Sequence, residues 1–213
     1  MKQRFILMIL FIAFFTVSTV EAQNKALDKA LKKEYKTKMK ELKKDGWKLA
    51  GSSRSLEVAL LLHYEKLSDP NNKELPGEVS SCKSINICRQ AALNNACVYY
   101  ASLAGSKLKG RIVSDMSVNQ VSEDGHEEFD KMYAAYERLV EKEIKGEIQE
   151  SYSLVRTGEN GQKEYRTYFL INEDAATKAR VRAWENAAKE SQAAQQYGTK
   201  ISEWIKEGFE IEK

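Results

Sequence analysis

The stretch that decides the fold runs from Glu147 to Ile171. It reads Glu147-Ile-Gln-Glu-Ser-Tyr-Ser-Leu-Val-Arg156, then Thr157-Gly-Glu-Asn-Gly-Gln162, then Glu164-Tyr-Arg-Thr-Tyr-Phe-Leu-Ile171. Two alternating segments around a Gly- and Asn-containing turn predict an antiparallel hairpin. We expect Ile148, Tyr152 and Leu154 to share one side of the first strand. In the second strand, Tyr165, Phe169 and Ile171 should face one way, and Tyr168 and Leu170 the other.

Helical patterns surround this hairpin. Apolar spacing of three and four predicts helices over 24–45, 56–67 with Ser55 as N-cap, 89–104, 124–143 and 201–209. Another begins after Asn172 and carries the alanine stripe Ala176, Ala179, Ala183, Ala187 and Ala194. Shorter strands are predicted over 47–50, 78–80 and 107–113. The class is α+β: an antiparallel β-sheet covered by helices, with a long N-terminal amphipathic helix and a long C-terminal Ala-rich helix.

The first 22 residues have the pattern of a signal peptide. Lys2 and Arg4 precede an uncharged apolar run from Phe5, and Val20 and Ala22 fit a cleavage site before Gln23. An uncleaved anchor is the alternative, but the apolar run is shorter than the roughly twenty residues that span a bilayer. No cysteine lies near the cleavage point, so we expect a periplasmic or secreted protein that is not lipid-anchored.

Turn residues predict the organisation of the mature chain. Asp69-Pro-Asn-Asn72 breaks the chain, and Leu75-Pro-Gly77 is predicted to be a turn. We therefore expect a signal peptide over 1–22, a helical N-terminal segment over 23–70 packed on the core, and an α+β envelope domain over 71–213.

Composition narrows the function classes. Of the 213 residues, 42% are hydrophobic and 31% charged, which excludes a polytopic membrane protein. The formal net charge of +3 is too small to indicate a nucleic-acid partner.

Three cysteines follow the leader. Cys82 and Cys88 are the candidate disulfide pair, since export favours oxidation. Cys97 lies in an Ala-rich helical pattern and is predicted to be a small core residue. A zinc site with a remote histidine is the alternative, although the spacing C-x5-C-x8-C lacks the usual knuckle, so no metal is expected.

No catalytic motif is present. His63 lies on the apolar stripe of a helix that is apolar nearly all round, which predicts a hydrogen-bonded core histidine in a helix buried between two layers. His126 is predicted to lie at an exposed helix start, and Gly51-Ser-Ser-Arg-Ser55 is a capping turn rather than a nucleophile elbow. We expect no enzyme activity and no cofactor; an exported hydrolase would need a pocket that holds His63 beside a carboxylate and a Ser or Cys.

Basic residues form the remaining candidate surface. Nine lysines and four acidic residues lie in 24–45. Anionic lipid or polysaccharide could be bound by Lys32, Lys36, Lys40 and Lys43, together with Lys107, Lys109 and Arg111 on the outer face of the strand 107–113. A solvated lysine face over a packed apolar stripe is the simpler interpretation.

The region from Arg89 to Ile171 resembles a family of bacterial envelope domains. The matching residues are Arg89-Gln-Ala-Ala-Leu-Asn-Asn-Ala96, 103–114, 137–152 and 161–170. They resemble the N-terminal domain of the flagellar-assembly protein FlgT and related small surface lipoproteins. The whole chain is also similar to exported proteins of anaerobic Gram-negative bacteria. This resemblance implies a non-enzymatic envelope role, with an envelope protein or a second copy as partner and no catalytic residues.

Overall fold

In the computed structural model, the described residues are 28–116, 123–158, 161–190, 199 and 201–207. They form a four-stranded antiparallel sheet and six α-helices, which confirms the α+β class. The signal peptide prediction lies outside these residues, as do 24–27, Ala194 and Phe209. The elements in chain order are α1 (28–44), β1 (Lys48–Leu49), α2 (Leu56–Leu67), β2 (Asn72–Cys82), α3 (Ile85–Met116), α4 (Glu123–Ile144), β3 (Ile148–Thr157), β4 (Lys163–Asn172), α5 (Glu173–Ala187) and α6 (201–206).

The predicted hairpin is the centre of the sheet. β3 and β4 pair antiparallel, β1 pairs with β3, and β2 pairs with β4, which gives the order β1-β3-β4-β2. Gly161 adopts φ +74° in the turn, a conformation that glycine reaches without a Cβ clash. The hairpin prediction is confirmed.

Helices cover both faces of the sheet. Alternation along β4 sends Phe169 and Ile171 into a core with α3, α4, α5 and α6, whereas Tyr168 packs on the opposite face. There it meets α1, α2 and the side chains of Tyr152 and Leu154 from β3. The helices α1 and α2 therefore pack on this face of the sheet, and β1, which lies between them in the chain, is an edge strand.

A β-bulge in β3 changes which side chains share a face of the sheet. The register between β3 and β4 shifts between Glu150 and Tyr152. Ile148 packs against the core of the Phe169 face, whereas Tyr152 and Leu154 lie on the Tyr168 face. The prediction that Ile148 shares a side with Tyr152 and Leu154 is wrong, because the extra residue of a bulge reverses the alternation.

Two further predictions on local structure are wrong. Residues 107–113 belong to the long helix α3 rather than to a strand, because the buried Leu108 and Ile112 lie at helical i, i+4 spacing. Leu75-Pro-Gly77 lies inside β2 rather than in a turn. Proline is tolerated there because β2 is an edge strand of the sheet.

The helix α2 has its predicted bounds and its Ser55 cap, whose hydroxyl accepts a hydrogen bond from the Val58 amide at 3.2 Å. Its predicted burial between two layers is wrong. Val58 is 46% and Leu61 59% exposed, because α2 packs through one face and leaves the other in solvent. Leu60 and His63, on the predicted inner stripe, are fully buried.

Candidate functional site

A groove lies between the end of β2, the first turns of α3 and the hairpin turn. Its volume is about 590 Å³. Val79, Ile87 and Ala91 supply apolar walls, while Lys83 and Lys163 supply positive charge. The remaining lining residues are Ser81, Cys82, Gly161 and Gln162.

A glycine brings α3 close to the sheet beside this groove. A Cβ on Gly77 of β2 would overlap the backbone carbonyl of Ala92 in α3. The missing side chain therefore lets the helix backbone approach the strand. This approach fixes the first turns of α3 over β2 and sets the shape of the groove.

The structure joins Cys82 to Cys88 through a disulfide, with a Cα–Cα distance of 5.6 Å. The two cysteines differ in solvent exposure. Cys82 is partly exposed and lines the groove, whereas Cys88 is fully buried in the first turns of α3.

Cys97, the third cysteine, is free and buried, as predicted for a core residue. Burial raises the pKa of its thiol to about 11, so the thiol is protonated at neutral pH. Among the side chains that the structure describes, no group of three or more His, Cys, Asp or Glu could hold a metal ion.

The helix α3 also presents apolar side chains to solvent, beside Asn94, which accepts a hydrogen bond from Lys145 Nζ at 3.1 Å. Ile87, Ala91 and Val98 follow one another at i, i+4 and i+11, which places them on one side of the helix. Ile87 is 63% and Val98 49% exposed. No Asp, Glu, Lys or Arg occurs in the sequence from Gln90 to Ser106. We call Ile87, Ala91 and Val98 the α3 surface.

The edge of β2 beside this surface is protected against strand addition. Pro76 has no backbone N–H, and the Asn95 side-chain amide donates a hydrogen bond to the Glu78 carbonyl at 2.8 Å. The pairing of β2 with β4 also shifts between Val79 and Cys82. A partner protein is therefore expected to bind the exposed side of α3 rather than to add a strand to the edge of β2.

His63 is hydrogen-bonded in the core, as the sequence predicts. Its Nε2 lies 2.6 Å from Glu74 Oε2, and its Nδ1 lies 2.9 Å from Ser151 Oγ. Ser151 is placed there by the bulge of β3. Sequence reasoning missed these two partners, since each depends on pairing between strands that are distant in the chain.

Three tyrosine rings pack around His63. Tyr64, Tyr152 and Tyr168 pack edge-on against the imidazole with ring centroids 5.0–6.2 Å away. Burial raises the pKa of Tyr64 and Tyr152 above the usual value, so both phenols stay neutral. Ser151, His63 and Glu74 are thus joined by hydrogen bonds, but the imidazole is fully buried, and a substrate could not contact it without movement of the surrounding elements.

The helix α1 carries the first part of the predicted anionic-contact surface. Helical geometry places seven exposed lysines within an arc of about 120°, with no acidic residue of α1 among them. They are Lys29, Lys32, Lys33, Lys36, Lys40, Lys43 and Lys44. Lys43 is paired with Glu57 of α2 at 2.6 Å, which raises the pKa of the lysine.

The second part lies elsewhere. Lys107, Lys109 and Arg111 are on α3, on the opposite face of the sheet from α1. Lys109 pairs with Asp130 at 3.0 Å and Arg111 with Glu207 at 2.6 Å. Their predicted position on the outer face of a strand is wrong, since 107–113 is helical, and the fold does not bring them together with the lysines of α1.

Comparison with protein-family models, with curated proteins and with solved structures finds no match to this chain. Within the described residues, no helix is both long and apolar enough to cross a bilayer.

Proposed function

We propose that the chain is an exported, non-enzymatic interaction module of the bacterial envelope, which binds a partner protein through the α3 surface. The observation that carries this proposal is the exposed apolar side of α3, in a protein of which 31% of residues are charged. Large exposed apolar patches are typical of protein contacts, and we propose that Ile87, Ala91 and Val98 belong to such a patch. The resemblance of 89–171 to FlgT-type envelope domains supports the same role.

Export is part of the proposal. The leader over 1–22 is removed before Gln23, and the mature protein is periplasmic or secreted without a lipid anchor. In the same proposal α1 begins near Asn24; the alanine-rich helix that the sequence predicts to reach Ala194 instead ends at Ala187, where a 3-10 turn over Ala188–Glu190 follows. Mass spectrometry of protein from a bacterial host should find Gln23 as the first residue in the envelope or medium. Full-length chain confined to the cytosol would contradict export.

The interaction itself is tested by substitution on α3. Chemical crosslinking of intact cells should give a discrete adduct for the wild type that is lost in Ile87→Glu/Val98→Glu. The matched control is Val58→Glu/Leu61→Glu, which changes two equally exposed apolar residues of α2 and should keep the adduct. An adduct of twice the chain mass identifies a second copy as partner. Equal adduct from all three proteins would contradict the role of α3.

Binding of an anionic lipid or polysaccharide through α1 is a second candidate function. The uninterrupted lysine arc favours it, because each Lys near an anionic surface contributes about 1 kcal/mol at low salt. Vesicles of phosphatidylglycerol should retain the mature protein at low salt and release it at high salt. Lys32→Gln/Lys36→Gln/Lys40→Gln should lose binding, whereas Lys107→Gln/Lys109→Gln should not. Salt-independent binding, or equal loss in both variants, would contradict this function.

An exported hydrolase is the third candidate. The burial of His63 and the aromatic rings around it argue for a structural role of the Ser151–His63–Glu74 set.

A further inference from the structure

The two cysteines of the Cys82–Cys88 disulfide differ in burial. Cys82 lies at the end of β2 and lines a groove of about 590 Å³, with its Sγ 3.5 Å from the Lys163 carbonyl oxygen. Cys88 is fully buried. A thiol that enters the groove can therefore reach the sulfur of Cys82 but not that of Cys88.

Cys88 is the leaving group of an attack on Cys82, and it lies near the start of α3. Ser84 caps the helix, and its Oγ accepts a hydrogen bond from the Ile87 amide at 3.3 Å. Cys88 follows in the next position, and the first turn carries no acidic residue. The positive end of the helix dipole favours a thiolate there, whereas burial and the Ser84 carbonyl oxygen, 2.8 Å from Cys88 Sγ, favour the thiol, which can donate to that oxygen once it is protonated.

The charge of the groove favours an anionic attacking group. Lys83 and Lys163 both line it and are exposed. A thiolate or an acidic peptide is attracted to two lysines. The apolar side chains of Val79, Ile87 and Ala91 supply a contact surface for the rest of the attacking molecule.

We propose that Cys82–Cys88 is a thiol–disulfide exchange site, in which Cys82 is attacked by a thiol of an exported polypeptide bound in the groove. The attacking thiolate forms a disulfide bond with Cys82 Sγ, the Cys82–Cys88 bond breaks, and Cys88 leaves as a thiolate. A second thiolate of the partner then attacks the partner sulfur and releases Cys82. Two partner thiols are oxidised to a disulfide and this pair is reduced, with the released thiolates protonated by water.

Peptide mass spectrometry identifies which of the two cysteines is attacked. Purified mature protein is exposed briefly to reduced glutathione, quenched with acid, alkylated and digested with trypsin. Trypsin separates the cysteines, because Lys73, Lys83, Arg89 and Lys107 bound the three peptides that contain them. We expect glutathione on the 74–83 peptide and alkylated thiol on the 84–89 peptide. Protein unfolded in guanidinium is the control and should carry glutathione on both.

Two results would overturn the proposal. One is glutathione on Cys88, or on both cysteines equally, in the native protein. The other is exchange that requires denaturant, which is the behaviour of an inaccessible structural disulfide. Neither result bears on partner binding through the α3 surface, since free glutathione needs no docking partner.

Two thiols of opposite charge test the role of Lys83 and Lys163 in the groove. Native protein should react several-fold faster with anionic glutathione than with cationic cysteamine, after correction for thiolate fraction. The difference should shrink in Lys83→Gln/Lys163→Gln and at high salt. Lys73→Gln, which changes a lysine outside the groove, is the control. A preference that persists in Lys83→Gln/Lys163→Gln would contradict a role of these lysines.

Discussion

Gly77 of β2 lies directly beneath Ala92 of α3, so closely that a Cβ on the glycine would overlap the Ala92 carbonyl. Because the obstacle is backbone, it cannot rotate away. This contact explains why a glycine is needed at position 77.

Replacement of this glycine should destabilise the protein. We expect Gly77→Ala to lower the free energy of unfolding by about 1–3 kcal/mol, the usual cost of overpacking. Gly110→Ala is the matched control. Gly110 lies in α3 with no atom within 4 Å of the added Cβ, and alanine there should raise the free energy by about 0.5–1 kcal/mol. Urea unfolding of the two variants measures both, and equal effects would contradict the close approach.

The buried histidine gives a second stability prediction. His63→Ala leaves Glu74 and Ser151 without their partner and creates a cavity, so it should cost about 2–4 kcal/mol. Leu61→Ala on the same helix changes a side chain that is 59% exposed, and it should cost no more than about 0.5 kcal/mol. Thermal unfolding compares the two. A His63→Ala protein as stable as Leu61→Ala would contradict the hydrogen-bonded core position.

The disulfide should also contribute to stability. In the chain-entropy model its short loop is worth about 2 kcal/mol. Cys82→Ser/Cys88→Ser should therefore lower the free energy of unfolding by that amount and remain folded, because helices still cover both faces of the sheet. Urea unfolding is the measurement, and reduced wild type should match the variant. A reduced protein as stable as the oxidised one would show that the two cysteines are not joined in the folded state.

Alkaline pH should weaken the fold. Burial raises the pKa of Tyr100 and Tyr133 to about 12 and that of Cys97 to about 11, from 10.0 and 9.0. The folded state holds these protons while the unfolded chain loses them, so the stabilisation is complete below about pH 9 and is lost as the pH rises toward 12. Urea unfolding near pH 7 and pH 10.5 measures the fall, and Cys97→Ala should reduce it. A fall as large in Cys97→Ala as in the wild type would contradict the raised thiol pKa.

Sequence reasoning located the elements whose signal is local. The caps at Ser55 and Asn172, the hairpin and the helix bounds of α2 all follow from residues that lie close together in the chain. The strand predicted over 107–113 shows where local sequence patterns are not sufficient. Leu108 and Ile112 fit both an alternating and a helical pattern, and Gly105 and Gly110 are weak helix formers. Packing of α3 against α4 and α5 outweighs the two glycines.

The candidate site was harder to predict from the sequence than the fold, because it depends on contacts between residues that are distant in the chain. The pairing of Cys82 with Cys88 could be suggested from spacing and export, but the unequal exposure of the two sulfurs could not. The partners of His63 come from β2 and from a bulge in β3, and no local pattern marks a bulge at Ser151. The lysines of α1 could be recognised as one face, whereas their separation from Lys107 follows from the packing of α1 and α3 on opposite faces of the sheet.

Site-specific photocrosslinking tests the central claim, partner binding through α3, most directly. A photoreactive amino acid is placed at Ile87 or Val98 of α3, and in matched proteins at Lys32 of α1 or Leu61 of α2. Irradiation of intact cells should give one discrete protein adduct from positions 87 and 98 and none from 32 and 61. Adducts from α1 or α2 alone, or none from α3, would contradict the proposed function.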